Sequence, residues 1–194
     1  MSTAANSAID IVSRALVLIG AEPITSFTEN TTEALVANNM YEDAVRTSLS
    51  TARWRFATQQ ATLAQLASDP TGRFNAAHQL PADLLVLHAI TVNDNLLNYT
   101  VYGDKVFSDA TDTDVVIADY TFRQTETNFP SYFTLAVEYS LASIFATAIA
   151  RSTTLTQLMT AKAEQMMAKA RNLDAQQQTT RKLVTSRFIT DRRS

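Results

Sequence analysis

Apolar side chains recur in steps of three and four along the first segment, Ala4 to Ile19. Ala5, Ala8, Ile9, Val12, Ala15, Leu16 and Ile19 fall on one stripe, the spacing of an amphipathic helix. Gly20 follows the last periodic position and can take the left-handed cap conformation. Pro23 stands just beyond and prevents the helix from resuming. A short connector, Ile24 to Asn30, comes next. The second helix is predicted to start near Asn30, because Asn30 followed by Glu33 has capping-box spacing. Its stripe is Ala37, Tyr41, Ala44, Val45, Ser48, Leu49 and Ala52, and it ends around Arg53 to Phe56. Gln59 to Ala67 fits strand or helix equally. Asp69-Pro70-Thr71-Gly72 marks a turn.

After Pro81 the period changes. Leu84 to Val92, Leu96 to Tyr102, Lys105 to Phe107 and Asp114 to Phe122 are short runs rich in Val, Ile, Leu, Tyr, Phe and Thr. Turn-forming clusters separate them, so they predict an antiparallel sheet of hairpins, inserted at about residues 83–123. Helical spacing returns at Pro130, with Leu135, Tyr139, Ala142, Phe145, Ala146 and Ile149 on one face. A break at Arg151-Ser152-Thr153 precedes a last helix through Leu155, Met159, Lys162, Met166, Ala170 and Leu173. Run to about Gln178, it would be on the order of 40 Å long. The fold class expected is therefore α+β, mainly α: a helical bundle with a small antiparallel β insertion. Residues 1–178 form the domain and 179–194 an extended C-terminal arm.

Charge sharpens that division. The net charge is −3. From Arg171 to Ser194 six Lys or Arg stand against two Asp, a net of +4, which leaves −7 for residues 1–170. An acidic body with a basic tail marks an interaction arm. Hydrophobic residues make up 46% of the chain and charged ones 18%, enough for a core, with a surface cheaper to desolvate than usual. The N-terminus carries no basic stretch of the signal-peptide kind. Leu135 to Ala150 is interrupted by Glu138, Ser140, Ser143 and Thr147 and is too short and polar to span a bilayer. The expectation is a soluble protein made in a cytoplasm, with no membrane partner.

Catalytic chemistry finds little support. The chain has no cysteine, which excludes disulfides, thiolate nucleophiles and cysteine zinc sites. Gly20, Gly72 and Gly103 are the only glycines and lie far apart, so no phosphate-cradling loop exists. His78 and His88 match no zinc spacing and read as a surface and a half-buried histidine. Asp104, Asp109, Asp112, Asp114 and Asp119 lack the glycine and closing Glu of a calcium loop and read as turn chemistry between strands. No serine sits in a nucleophile elbow. The expectation is no enzyme and no cofactor. Arg53-Trp54-Arg55-Phe56 could stack on bases or touch phosphate; we read it as a helix end whose Trp and Phe enter the core while the arginines reach outward. The tail offers Arg181, Lys182, Arg187, Arg192 and Arg193, interleaved with Leu183, Val184, Phe188 and Ile189. Phosphate contact is one use for it. The apolar anchors favour docking on a protein.

Several short motifs follow one another along the chain: Ala15 to Ile24, with an Ile-Gly-Glu-Pro-like element that contains Gly20 and Pro23; Tyr41 to Arg46; Trp54-Arg55-Phe56-Ala57; Leu80-Pro81-Ala82-Asp83; and Thr127 to Phe133. In this order they resemble the tail tubular protein A family of short-tailed phages. Arg53 stands where the family often has Gly, Ala21 separates Gly20 from Glu22, and the tail beyond Thr179 matches no motif. The resemblance implies a virion protein at the head-tail junction. It implies a homo-oligomeric ring of about twelve copies between the portal protein and a tail tube, nozzle or stopper protein. The C-terminal arm would dock on the portal, and DNA would pass through the lumen without sequence-specific contact. The alternative left open is a packaging accessory protein that binds nucleic acid through the basic tail.

Overall fold

The computed structural model describes residues 5–67, 70, 72–93, 95–111 and 113–177. Helix α1 spans Ala8–Leu18, shorter at its start than the periodicity predicts. Ser7 decides the boundary: its hydroxyl accepts the Asp10 N–H at 3.2 Å and donates to the Asp10 carboxylate at 2.8 Å. The other end closes as expected. Gly20 has φ +76°; its N–H donates to Val17 O at 3.1 Å, and the Ala21 N–H to Leu16 O at 3.0 Å, a Schellman cap.

Helix α2 is Thr32–Ser50. Its cap is Thr31, whose hydroxyl accepts the Ala34 N–H at 3.2 Å, one residue after the predicted Asn30. It also stops before Arg53, so Trp54 lies on extended backbone and Arg55–Ala57 form a 3-10 turn. Helix α3 (Ser131–Ala148) starts just after Pro130, whose φ is −62°. Arg151, at φ +49°, reverses the chain. Helix α4 (Thr153–Gln176) then begins behind the Ser152 cap. Thr147 meets Thr156 at one end of the α3–α4 pair and Tyr132 meets Asp174 at the other, so the two run antiparallel.

Helix α3 is the centre, touched by α1, α2 and α4. Phe133, Ala136, Val137, Leu141, Ala142, Phe145 and Ala146 are buried along it. The predicted face was right at Ala142, Phe145 and Ala146 and wrong at Leu135, which is 42% exposed. Apolar residues fall on every side of α3, so periodicity could not choose among three packing directions. Phe133 also anchors an aromatic cluster, with ring centroids 5.0 Å from Trp54, 4.9 Å from Phe56 and 4.9 Å from Phe129.

Strand structure begins earlier than residue 83 and divides into two antiparallel sheets rather than one. The strands are β1 (Thr58–Thr62), β2 (Ala76–Gln79), β3 (Leu84–Val92), β4 (Asn95–Leu96), β5 (Tyr99–Tyr102), β6 (Lys105–Ser108) and β7 (Val116–Phe122). Their orders are β1-β7-β3-β4 and β2-β6-β5. Leu80, Ile90, Val106, Val116, Ala118 and Tyr120 build a second core in this half. Bulges in β3, between Leu84 and Val86 and between Leu87 and Ala89, re-aim side chains. Leu85 thereby reaches the helical core and His88 bonds the buried Thr121 hydroxyl at 2.7 Å. His88 is half-buried as expected. His78 is not on the surface: it is 2% exposed, and neither its Nδ1 nor the buried Ser108 hydroxyl has a hydrogen-bond partner among the described residues.

Candidate assembly interface

Helix α4 buries only a narrow stripe, with Met159, Ala170 and Asp174 fully covered, while Leu158 and Leu173 are 52% and 46% exposed. Its last turn is nevertheless pinned. The Asp174 carboxylate accepts the Arg55 N–H at 3.0 Å and the Tyr132 hydroxyl at 2.9 Å. The Arg55 guanidinium donates to the Asp174 carbonyl at 3.2 Å, and the Gln177 amide donates to the Tyr132 oxygen at 3.3 Å. Burial, and then the Asp174 carboxylate, push the Tyr132 phenol up to about 12. The chain therefore leaves the described structure from a fixed point beside the Trp54–Phe56 segment. Trp54 secures that segment: it is fully buried and donates its indole N–H to Ser48 O at 3.0 Å.

A second set of polar contacts clasps α2 to the strand half. The Arg123 guanidinium grips Glu42 at both oxygens, 3.1 Å from Nε and 2.9 Å from Nη2, and reaches Glu126 at 2.6 Å. The Tyr41 hydroxyl donates to Glu126 at 3.0 Å, and Arg46 pairs with Glu42 at 2.6 Å. The Arg123 hydrogen bonds hold the Glu42 carboxyl below its ordinary value. For Glu126 burial pushes upward, but Arg123 outweighs it and the net shift is downward. Burial, aided by the Glu126 charge, raises the Tyr41 phenol. Beside this clasp Arg53 pairs with Asp119 across the same junction.

Several concavities open on the surface of the described residues, three of which bear on assembly. A groove between α2 and α3, about 510 Å³, is lined by Val36, Met40, Ile144 and Ala148 among others. At the far strand end Arg73, Phe74, Tyr102 and Phe107 flank a cleft of about 520 Å³, with the Arg73 guanidinium 5.0 Å from the centre of the Phe74 ring. Between the N-terminus and α3 lies a pocket of about 310 Å³ that includes Asn6, Arg14, Phe129, Thr134, Leu135 and Glu138.

The residues singled out from the sequence separate into two groups. Gly20 caps α1, Pro23 is exposed just after it, Trp54 and Phe56 sit in the aromatic core, and Pro81 links β2 to β3. These five shape the scaffold. The docking-arm residues Arg181, Lys182, Leu183, Val184, Arg187, Phe188, Ile189, Arg192 and Arg193 lie outside the described residues. Sequence reasoning missed Asp174, Tyr132, Arg123 and Glu126. Two motif runs gave a signal: Tyr41–Arg46, whose Tyr41, Glu42 and Arg46 all enter the clasp, and Thr127 to Phe133, which contains Tyr132. Among the described residues no helix is long and apolar enough to cross a membrane.

Comparison with protein-family models identifies a family. No curated protein matches the chain. The family model described as Tube, tail tubular protein, matches residues 8–183. That span opens on the first residue of α1, takes in both sheets and the clasp, and passes the pinned end of α4. The chain thus belongs to the tail tubular protein family, the structural proteins of phage tails.

Proposed function

We propose that this tail protein is a head-to-tail adaptor. It assembles into a homo-oligomeric ring of about twelve copies beneath the portal, joins capsid to tail and leaves a channel for DNA ejection. The tail-side neighbour would be a tube, nozzle or stopper protein. The family match over residues 8–183 carries this reading. The physical features agree with it. Helix α4 leaves most of its circumference uncovered yet has a rigid last turn, which suits an element that projects a docking arm from a fixed origin. The net charge of −7 over residues 1–170, against −3 for the chain, gives phosphates little to stick to in a lumen. A channel lined mainly by Lys and Arg would contradict that last point.

The test is a mass measurement on the full chain with and without an isolated portal ring. A low-mass species alone and a large defined ring with portal support the adaptor. A chain that ignores portal and instead binds DNA in a salt-dependent way identifies the basic tail as a nucleic-acid arm and overturns it.

A further inference from the structure

Glu138 is the one buried carboxylate of the α3 interior, and it faces the pocket between the N-terminus and α3, where Arg14 is its ion-pair partner. Its side chain is 7% exposed and its Oε1 has no hydrogen-bond partner among the described residues. Arg14 stands 3.9 Å from that oxygen, close enough to feel the charge and too far to hydrogen-bond, and is itself 42% exposed. A buried acceptor left in this state is costly unless something donates to it. The pocket has the shape for a long donor: Phe129 and Leu135 give apolar walls, Asn6 and Thr134 a polar rim.

We propose that this pocket receives a basic side chain from the chain's own C-terminal segment, with the Arg181 guanidinium as its occupant. Three observations select that source. The segment is the basic part of an otherwise acidic chain, and Arg181 is the first cation after Gln177. Its origin is fixed beside α3, because Asp174 and Gln177 both bond Tyr132 in the first turn of α3. The path is short. Tyr132, Leu135 and Glu138 step by three residues round α3, so Glu138 lies about 9 Å along the axis from Tyr132. Four extended residues reach up to about 14 Å, before the length of the Arg side chain is added. Leu135, exposed between the two, would be covered on the way by the residues that precede Arg181. A guanidinium is preferred to a neutral donor because it satisfies the free oxygen and offsets the buried charge together. The inference concerns the isolated chain and does not depend on the adaptor reading.

The chain's lack of cysteine permits a direct test. Cysteines are placed on the pocket rim and beside the basic residue, as Ser131→Cys with Thr180→Cys, in the full chain at low concentration under mild oxidation. The expected result is a disulfide within one chain, formed several-fold faster than in a Thr113→Cys, Thr180→Cys control. It should slow to the control rate when Arg181→Gln or Glu138→Gln is added. The Arg181→Gln arm leaves Glu138 and the residues of both cores unchanged, so it stands even where Glu138→Gln perturbs folding. A rate equal to the control, a rate indifferent to Arg181→Gln, or a disulfide formed only between two chains overturns the proposal.

Discussion

Arg123 shows how one side chain can join two halves of a protein. Its guanidinium satisfies Glu42 on α2 and Glu126 ahead of α3 while only 18% exposed. Removing one member of a buried ion pair leaves the other uncompensated, which costs about 3–5 kcal/mol at full burial. Glu42 is 47% exposed and water will screen it, so Arg123→Met should cost about 2 kcal/mol, read from the urea midpoint. A change under a few tenths of a kcal/mol would mean the clasp is decorative. Acid acts on the same residues. Glu42 and Glu126 are both held below their ordinary 4.5, so the stability they supply is full above that value and is lost as pH falls through the folded-state pKa. His78 works in a different window. Burial lowers its pKa from 6.5, so the unfolded chain takes up the proton first and stability falls as pH drops below 6.5. Urea midpoints at pH 7.5 and 5.5 should differ less in His78→Leu than in the parent protein; an equal loss in both would show that His78 is not the source. His88, also lowered by burial and then by the Arg53 charge, should keep part of the slope.

Two elements of the helical half carry sharp predictions. Gly20→Ala places a side chain where φ is +76° but where no atom lies within 4 Å. Its cost of about 1 kcal/mol should therefore be backbone strain alone, and thermal unfolding of the variant measures it. Asp174→Ala removes the acceptor of the Arg55 N–H and the Tyr132 hydroxyl. Amide exchange should then quicken over residues 170–177, where about 1–3 kcal/mol of local protection is lost, with α3 near Leu141 unchanged. What the sequence revealed of these elements follows from what each strand or helix depends on. Stripes of α1 and α2 were legible because each packs on one side, and the Tyr41, Ala44, Val45, Ser48 and Leu49 face is the buried one. The face of α3 was hidden by burial on three sides. Strand β1, Thr-Gln-Gln-Ala-Thr, carries no apolar alternation and exists through its pairing with β7, so propensity could not announce it. His78 in β2 read as a surface residue because polarity, not register, was all the sequence offered. The partners of Asp174 lie 42 and 119 positions away, beyond the reach of any local pattern.

At the scale of the whole molecule the division of charge is the feature to test. The helical and strand halves are tied by neutralised pairs: Arg123 with Glu42 and Glu126, Arg53 with Asp119. These pairs take up cations of the body, while five more basic residues, 181, 182, 187, 192 and 193, stand close together in the tail sequence. The two halves of the proposed role then have separable energetics. Arg187→Gln, Arg192→Gln and Arg193→Gln together alter none of the residues that build the two cores, so the urea midpoint should not move. If the tail engages the portal, three exposed pairs at roughly 0.5 kcal/mol each amount to about a tenfold loss in portal-dependent ring formation, read as ring mass against portal concentration. The gap between parent and variant should narrow at high salt, because exposed charges are screened there. A variant that forms rings as readily as the parent would place the docking energy in the apolar anchors Leu183, Val184, Phe188 and Ile189 instead. The complementary substitution, Phe188→Ser with Ile189→Ser, should then weaken assembly with no dependence on salt. Salt sensitivity of ring mass thus decides whether the tail acts through its charge or through its apolar surface.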